Sequence, residues 1–305
     1  MIDIFIASTA LHLKIVNSIN QQRKSILLII SNIDMKHYMH SYISNNRFLK
    51  IIIIHRRIIN IQQLIAIKKK YNIFGNVYVG NYKNINFRLF HFLIPYNNLI
   101  TYDDGVGSLL SAKYLALDDR NIRLKGKVYS LFKIDIYRIM MKHKYHYSIY
   151  KNNPSQLFRN VRLLKMNTPK ISFEYSGHLL LTTNNSEVGV MTIDYERILF
   201  DRIITNLRIE IILHHPAKLY NLQHENCSII NDPFIAEDII ANSAISHVYS
   251  LSASSIIGVI ENTSFERKNI TYLVSSFHLD SPARRLLENV YGVRCIEIDS
   301  LLEHK

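Results

Sequence analysis

Short apolar runs separated by amphipathic stretches recur along most of this chain, and the alternation constrains its fold more than any other feature. Runs at 3–8, 25–31, 49–54, 76–79 and 98–102 have strand length and are rich in isoleucine, a β-branched residue that favours strands. Helical periodicity lies between them, as in 61–70. Strands alternating with helices make stacked βα units with a mainly parallel sheet. The alternation lapses after residue 120. Residues 126–145 instead space Val128, Leu131, Phe132, Ile136, Ile139 and Met140 as a helix would, with Lys127, Lys133, Arg138, Lys142 and Lys144 interleaved. Asn152-Asn153-Pro154-Ser155 and Thr168-Pro169 then interrupt the chain. Alternation resumes at 178–183, with further strands expected at 208–213, 227–230, 246–250, 269–274 and 294–298. Helices are expected at 192–206, 234–242, 254–262 and 282–290. The reading is two α/β domains, 1–165 with a basic helical connector and 166–305, facing a central cleft.

Composition narrows the partners. The 305 residues carry a formal net charge of +13, and 12 Lys/Arg against the single acid Asp135 fall within 121–170. Such a patch attracts nucleic acid, anionic lipid or a phosphorylated ligand. Aromatic residues do not cluster with these basic groups in a nucleic-acid-binding pattern, which weakens the first option. Two cysteines, Cys227 and Cys295, are too few for a disulfide framework or a cysteine zinc site. No apolar run is long enough to span a bilayer. The first eight residues lack the basic start and long apolar core of a signal peptide. A cytoplasmic location is expected.

Three polar islands each sit at the end of an apolar run. Tyr102-Asp103-Asp104-Gly105 is the first, His214-His215-Pro216 the second, and Ser250-Leu251-Ser252-Ala253-Ser254-Ser255 the third. Open α/β sheets place their reactive groups at strand ends. Adjacent carboxylates can divide labour, one anchored by the backbone or capping a helix, the other acting as a base. Proline ends the strand before it, so a preceding histidine projects from the strand's carboxyl end and can donate to a phosphate oxygen. Serine hydroxyls and free N–H groups at a helix start attract an anion. Each island alone is also an ordinary corner, loop histidine or N-cap; their order gives them weight. Ser275-Ser276 competes with the third. No glycine-rich phosphate loop, Gly-x-Ser-x-Gly elbow, His-Glu-x-x-His or Asp-x-Asp occurs, so P-loop, hydrolase, zincin and metal-dependent sugar-transferase readings fall away.

In this order the islands resemble those of bacterial sialyltransferases of the GT-B architecture, most closely glycosyltransferase family 52, the lipooligosaccharide and O-antigen sialyltransferases. The resemblance implies two Rossmann-like domains, an acceptor-side one and a CMP-donor-binding one. It implies metal-independent, inverting transfer of sialic acid from CMP–sialic acid to a galactose-type hydroxyl of a cell-surface glycan, with no cofactor. Asp104 would be the base with Asp103 supporting it, and His215, Pro216, Ser252, Ser254 and Ser255 would hold the donor phosphate. Some family 52 enzymes use a carboxylate nearer the His-Pro motif, which points to Glu187 or Asp194 as an alternative base. Another CMP-activated acid sugar such as Kdo is the alternative donor, and a non-catalytic nucleic-acid or anionic-membrane binder is the rival of a different class. A lipid-linked acceptor would bring segment 121–170 to the cytoplasmic face of the inner membrane. Dimeric relatives make a homodimer a further expectation.

Overall fold

A computed structural model describes residues 1–20, 25–31, 34–43, 47–54, 61–71, 73–105, 109, 136–152, 158, 160–183, 185–186, 191–216, 223–274 and 282–298. The chain divides into two units, Met1–Asn167 and Thr168–Lys305.

The N-terminal unit is built on seven parallel strands: β1 (Ile2–Ala7), β2 (Ser25–Ile30), β3 (Lys50–Ile54), β4 (Phe74–Val79), β5 (Tyr96–Tyr102), β6 (His143–Ser148) and β7 (Val161–Leu163). Their order across the sheet is β3-β2-β1-β4-β5-β6-β7. Helices α1 (Ala10–Ile19), α2 (Lys36–Tyr42), α3 (Ile61–Tyr71), α4 (Ile85–Leu93) and α5 (Ile136–Met141) lie between strands in the sequence. All six residues of β2, Ser-Ile-Leu-Leu-Ile-Ile, are buried. A parallel strand covered on both faces reads as such a continuous apolar run rather than an alternating one. Ile4 of β1 stands in register with Ile26 and Val77, and these three join Leu28, Leu99 and Phe90 in one apolar core.

One expectation needs correction. The helical spacing read over 126–145 is met only at α5, since residues 126–135 lie outside the described residues and His143 already begins β6. The sequence of β6, His-Lys-Tyr-His-Tyr-Ser, contains no aliphatic residue. Its strand character comes from pairing with β5, Ile100 opposite Tyr145 and Tyr102 opposite Tyr147, and tertiary pairing of this kind overrides a local pattern.

The C-terminal unit repeats the scheme. Its elements are β8 (Ser176–Leu181), α6 (Ile193–Leu207), β9 (Ile211–Leu213), β10 (Ser228–Ile230), α7 (Ala236–Ala241), β11 (Ala244–Ser250), α8 (Ala253–Asn262), a 3-10 turn (Arg267–Asn269), β12 (Ile270–Val274), α9 (Pro282–Asn289) and β13 (Arg294–Glu297). The strands again run parallel, ordered β10-β9-β8-β11-β12-β13. Helix α6 starts at Thr192, whose side chain accepts from Tyr195 N–H, and carries Asp194 and Glu196 in its first turn, where acids suit the helix dipole. Leu199, Phe200, Ile203 and Ile204 of α6 pack with Leu180, Ile212 and Leu273 of the sheet. Counted from its own first strand, each sheet has the order 3-2-1-4-5-6, with β7 added to the first. This is the Rossmann order, in which ligands bind beyond the carboxyl ends of the strands where the order reverses. The reversal falls between β1 and β4 in one unit and between β8 and β11 in the other. Among the described residues no helix is long and apolar enough to cross a membrane.

Candidate active site

The first island lies at the carboxyl end of β5, and its two carboxylates have different surroundings. Asp103 is completely buried. Its Oδ1 lies 2.9 Å from His146 Nε2, while its Oδ2 accepts from the Ser148 hydroxyl at 2.8 Å and the Ile149 N–H at 2.7 Å. The other nitrogen of His146 lies 2.9 Å from Thr101 Oγ1, and the ring stacks on Phe158 at 4.0 Å. A buried carboxylate survives by having its lone pairs occupied, and Asp103 has two oxygens and three donors. It ties β5 to β6.

Asp104 is 31 % exposed, and its Oδ1 stands 2.8 Å from Nε2 of the fully buried His12. The pair is at ion-pair distance without the alignment of a hydrogen bond, and Nε2 has no hydrogen-bond partner among the described residues. Local sequence explains the placement of His12. Thr9 caps α1 and its hydroxyl accepts from His12 N–H, an N-cap to third-residue bond. The Ser8 N–H donates to His12 Nδ1 at 3.2 Å. A backbone N–H only donates, so Nδ1 carries no proton and Nε2 does. The ring meets Tyr102 edge-on at 5.2 Å. Gly80, just after β4, makes the approach possible: a Cβ there would fall 2.6 Å from His12 Nε2 and 2.5 Å from the Tyr102 ring. Gly105 follows the acids with φ of 67°, a conformation that glycine adopts without strain. Tyr82 flanks the acids, and burial, then Asp104 and Asp103, push its hydroxyl above the ordinary phenol range.

The other two islands lie at the carboxyl edge of the second sheet. Thr182, just beyond β8, accepts from the His215 N–H at 3.0 Å through its hydroxyl, and its own N–H donates to Leu213 O at 3.1 Å. This latch fastens His214-His215-Pro216 to the sheet edge. On the other side of β8, the buried Ser250 accepts from Ser252 N–H at 2.9 Å. Ser252 occupies the N-cap of α8, yet its side chain makes no capping bond. Instead the Ser255 hydroxyl reaches Ser252 Oγ at 3.4 Å, and Ser254 is exposed. Strand β8 pairs with both β9 and β11, so the histidine and serine islands stand two strand spacings apart, about 9–10 Å. Asp194 is exposed in the first turn of α6, after the loop that leaves the same edge. Glu187 and Ser275-Ser276 lie outside the described residues.

The model of the family described as "Glycosyltransferase family 52" matches residues 11–276. The chain belongs to glycosyltransferase family 52. Among curated proteins it is similar to a CMP-N-acetylneuraminate:beta-galactoside alpha-2,3-sialyltransferase of Pasteurella multocida (strain Pm70), 25 % identical over 237 residues that cover 74 % of this chain and 73 % of that protein. Among solved structures it resembles the alpha/beta-galactoside alpha-2,3-sialyltransferase of Photobacterium phosphoreum, with a TM-score of 0.57 at 12 % identity, covering 98 % of this chain and 99 % of the other. The UDP-GlcNAc 2-epimerase of Methanocaldococcus jannaschii gives a TM-score of 0.56 at 14 % identity, covering 100 % and 94 %. At these identities the structures speak for the fold, which is GT-B. The family 52 chain is thus a glycosyltransferase with one polar cluster in each Rossmann unit. Sequence reading missed Ser8, His12, Gly80, His146, Ser148 and Thr182. The polar pair Ser8-Thr9 directly after β1, with a histidine three residues into the helix, is the one local signal that could have revealed His12.

Proposed function

We propose that this glycosyltransferase moves sialic acid from CMP–sialic acid to a galactose hydroxyl of a cell-surface glycan, lipooligosaccharide or O-antigen, with inversion and without a metal. Family membership and the Pasteurella relative support the sialyl donor. Assignment of the donor to the C-terminal unit rests on a contrast between the two reversal points. At the first, the start of α1 is closed by the Thr9 cap and the His12 ring packs under Gly80. At the second, α8 begins without a side-chain cap, among serine hydroxyls and next but one to the strand that carries His215. Uncapped N–H groups and hydroxyls attract a phosphate, whereas at α1 the Thr9 hydroxyl already takes a first-turn N–H.

In the reaction the acceptor oxygen bonds to the anomeric carbon while the bond from that carbon to the CMP phosphate oxygen breaks. The acceptor proton passes to Asp104, whose carboxylate is accessible where that of Asp103 is not. CMP leaves with the bonding electrons, and the His215 imidazole donates to its phosphate while Ser252, Ser254 and Ser255 bind it. Charge spreads over an oxocarbenium-like transition state, so fixed donors contribute most. Phosphate is already a good leaving group, which is why no metal is invoked. The basic residues of 121–170, of which Lys142 and Lys144 are exposed, would draw the enzyme to anionic lipid near a lipid-linked acceptor on the cytoplasmic face of the inner membrane.

A second reading places the base at Asp194, favoured by its exposure in the first turn of α6, the helix that follows β8 in the chain. Initial rates with CMP–sialic acid and lactose, paired with CMP binding, separate the two. Asp104→Ala is expected to leave CMP affinity intact and to cut turnover roughly 10²–10⁴-fold, while His215→Ala weakens CMP binding. Near-normal turnover in Asp104→Ala with loss in Asp194→Ala moves the base to α6. Absence of any transfer from CMP–sialic acid by the unmodified enzyme, with transfer from CMP–Kdo, changes the donor.

A further inference from the structure

We propose that His12 is a positioning residue for acceptor turnover: its buried Nε2–H, 2.8 Å from Asp104 Oδ1, attracts the carboxylate and biases it toward the orientation that meets the acceptor hydroxyl. The inference rests on the reading that Asp104 faces the acceptor. Four observations carry it. The ring is fully buried, so its position is fixed by packing and not by solvent. Ser8 N–H occupies Nδ1, which leaves the proton on Nε2, the atom that faces Asp104 at 2.8 Å. Thr9 fixes the backbone of His12 through the helix cap. Gly80 vacates the space that the ring and Tyr102 occupy, and a side chain of any size there would collide with both. A histidine kept only for packing needs none of this directional control, and a phenylalanine would serve as well.

Among the described residues, the His12 ring is the group that stands within ion-pair distance of Asp104. Asp104 is partly exposed, and a carboxylate free to rotate presents its oxygen in the productive direction only part of the time. Positioning of a reacting group within a few tenths of an ångström governs rate steeply, and a displacement of about 1 Å can cost 10²-fold. The contact between His12 and Asp104 also lacks hydrogen-bond alignment. The imidazole N–H is therefore available to follow the carboxylate, or the acceptor oxygen beside it, when substrate arrives.

The test uses the full-length enzyme with CMP–sialic acid and lactose, and compares His12→Phe, His12→Gln, Asp104→Asn and the double variant His12→Phe/Asp104→Asn. Phenylalanine keeps the packing against Tyr102 and removes the N–H; glutamine restores an N–H close to the Nε2 position. Expected results are a kcat reduced on the order of 10²-fold in His12→Phe, CMP affinity unchanged, partial recovery in His12→Gln, and a double variant no slower than Asp104→Asn alone, because residues acting as a unit are not additive. Normal kcat in His12→Phe with impaired Asp104→Asn overturns the role of His12 and leaves Asp104 in place. Multiplying losses in the double variant also overturn it, since His12 would then act independently of Asp104. Normal turnover in Asp104→Asn is the distinct outcome that removes the underlying reading. If His12→Phe loses CMP affinity, the lesion is in the fold, and the ratio of kcat between His12→Gln and His12→Ala decides: equality overturns the proposal, recovery in glutamine supports it.

Discussion

Two neighbouring aspartates can be chemically unrelated residues, and here their difference is set by what arrives from elsewhere in the chain. Asp103 points into the sheet and is met by His146 and Ser148, 43 and 45 residues later. Asp104 points the other way and is met by His12 from the opposite side of the sequence. The pair was legible as a pair, because a strand, two acids and a glycine are local facts. Their division into one anchor and one accessible carboxylate was not, because His146 lies on a strand without aliphatic residues. A stability difference follows. Asp103→Ala leaves buried donors unpaired and is expected to cost about 3–5 kcal/mol. Asp104→Ala should cost about 1 kcal/mol or less, as for other partly exposed pairs. Urea denaturation midpoints of the two variants check this; equal midpoints would contradict the assignment of Asp103 as an anchor.

At the scale of elements, two helices that look alike in sequence start differently. Each follows a strand and opens with Ser or Thr before an apolar stretch, so nothing local in the sequence tells the starts of α1 and α8 apart. The structure gives α1 a side-chain cap from Thr9 and gives α8 none from Ser252. The reason is competition: Ser250 Oγ accepts the Ser252 N–H, and Ser252 Oγ meets Ser255 instead of the helix backbone. Thr9→Ala should therefore lower stability by about 1 kcal/mol. Ser252→Ala should barely change the unfolding midpoint and should weaken CMP binding. Calorimetric unfolding and CMP titration on the same preparations distinguish a cap from a ligand group. The reverse pattern, a stability loss without a binding loss, would return Ser252 to the role of an ordinary cap. Strand and helix positions in the C-terminal unit were readable to within a few residues, since aliphatic runs mark nearly all of them. The connector was not, for β6 is recognisable only beside β5.

Over the whole molecule, the two sheets share one strand order, so each unit offers a reversal point at which a nucleotide could bind. Alternation in the sequence announced parallel sheets; which strand lies beside which is a matter of long-range pairing that no local pattern encodes. Amide exchange with and without CMP tests the choice of unit. Protection is expected around Thr182, His215 and Ser250–Ser255, with no change at Ser8 or Asp103–Gly105. Protection at the N-terminal group instead would exchange the donor and acceptor assignments. The same parallel architecture bears on how the chain reaches its native state. In β1, Asp3 bonds with Asn76 of the neighbouring strand, 73 residues away, and parallel neighbours cannot be joined by a tight turn. During synthesis the isoleucine-rich β1, β2 and β3 therefore emerge well before β4 can cover the open side of β1. Folding dominated by such distant pairings is slow, and an apolar strand edge left waiting is a site for self-association. Cooler, slower expression is the condition under which this nascent edge has time to find its own partner.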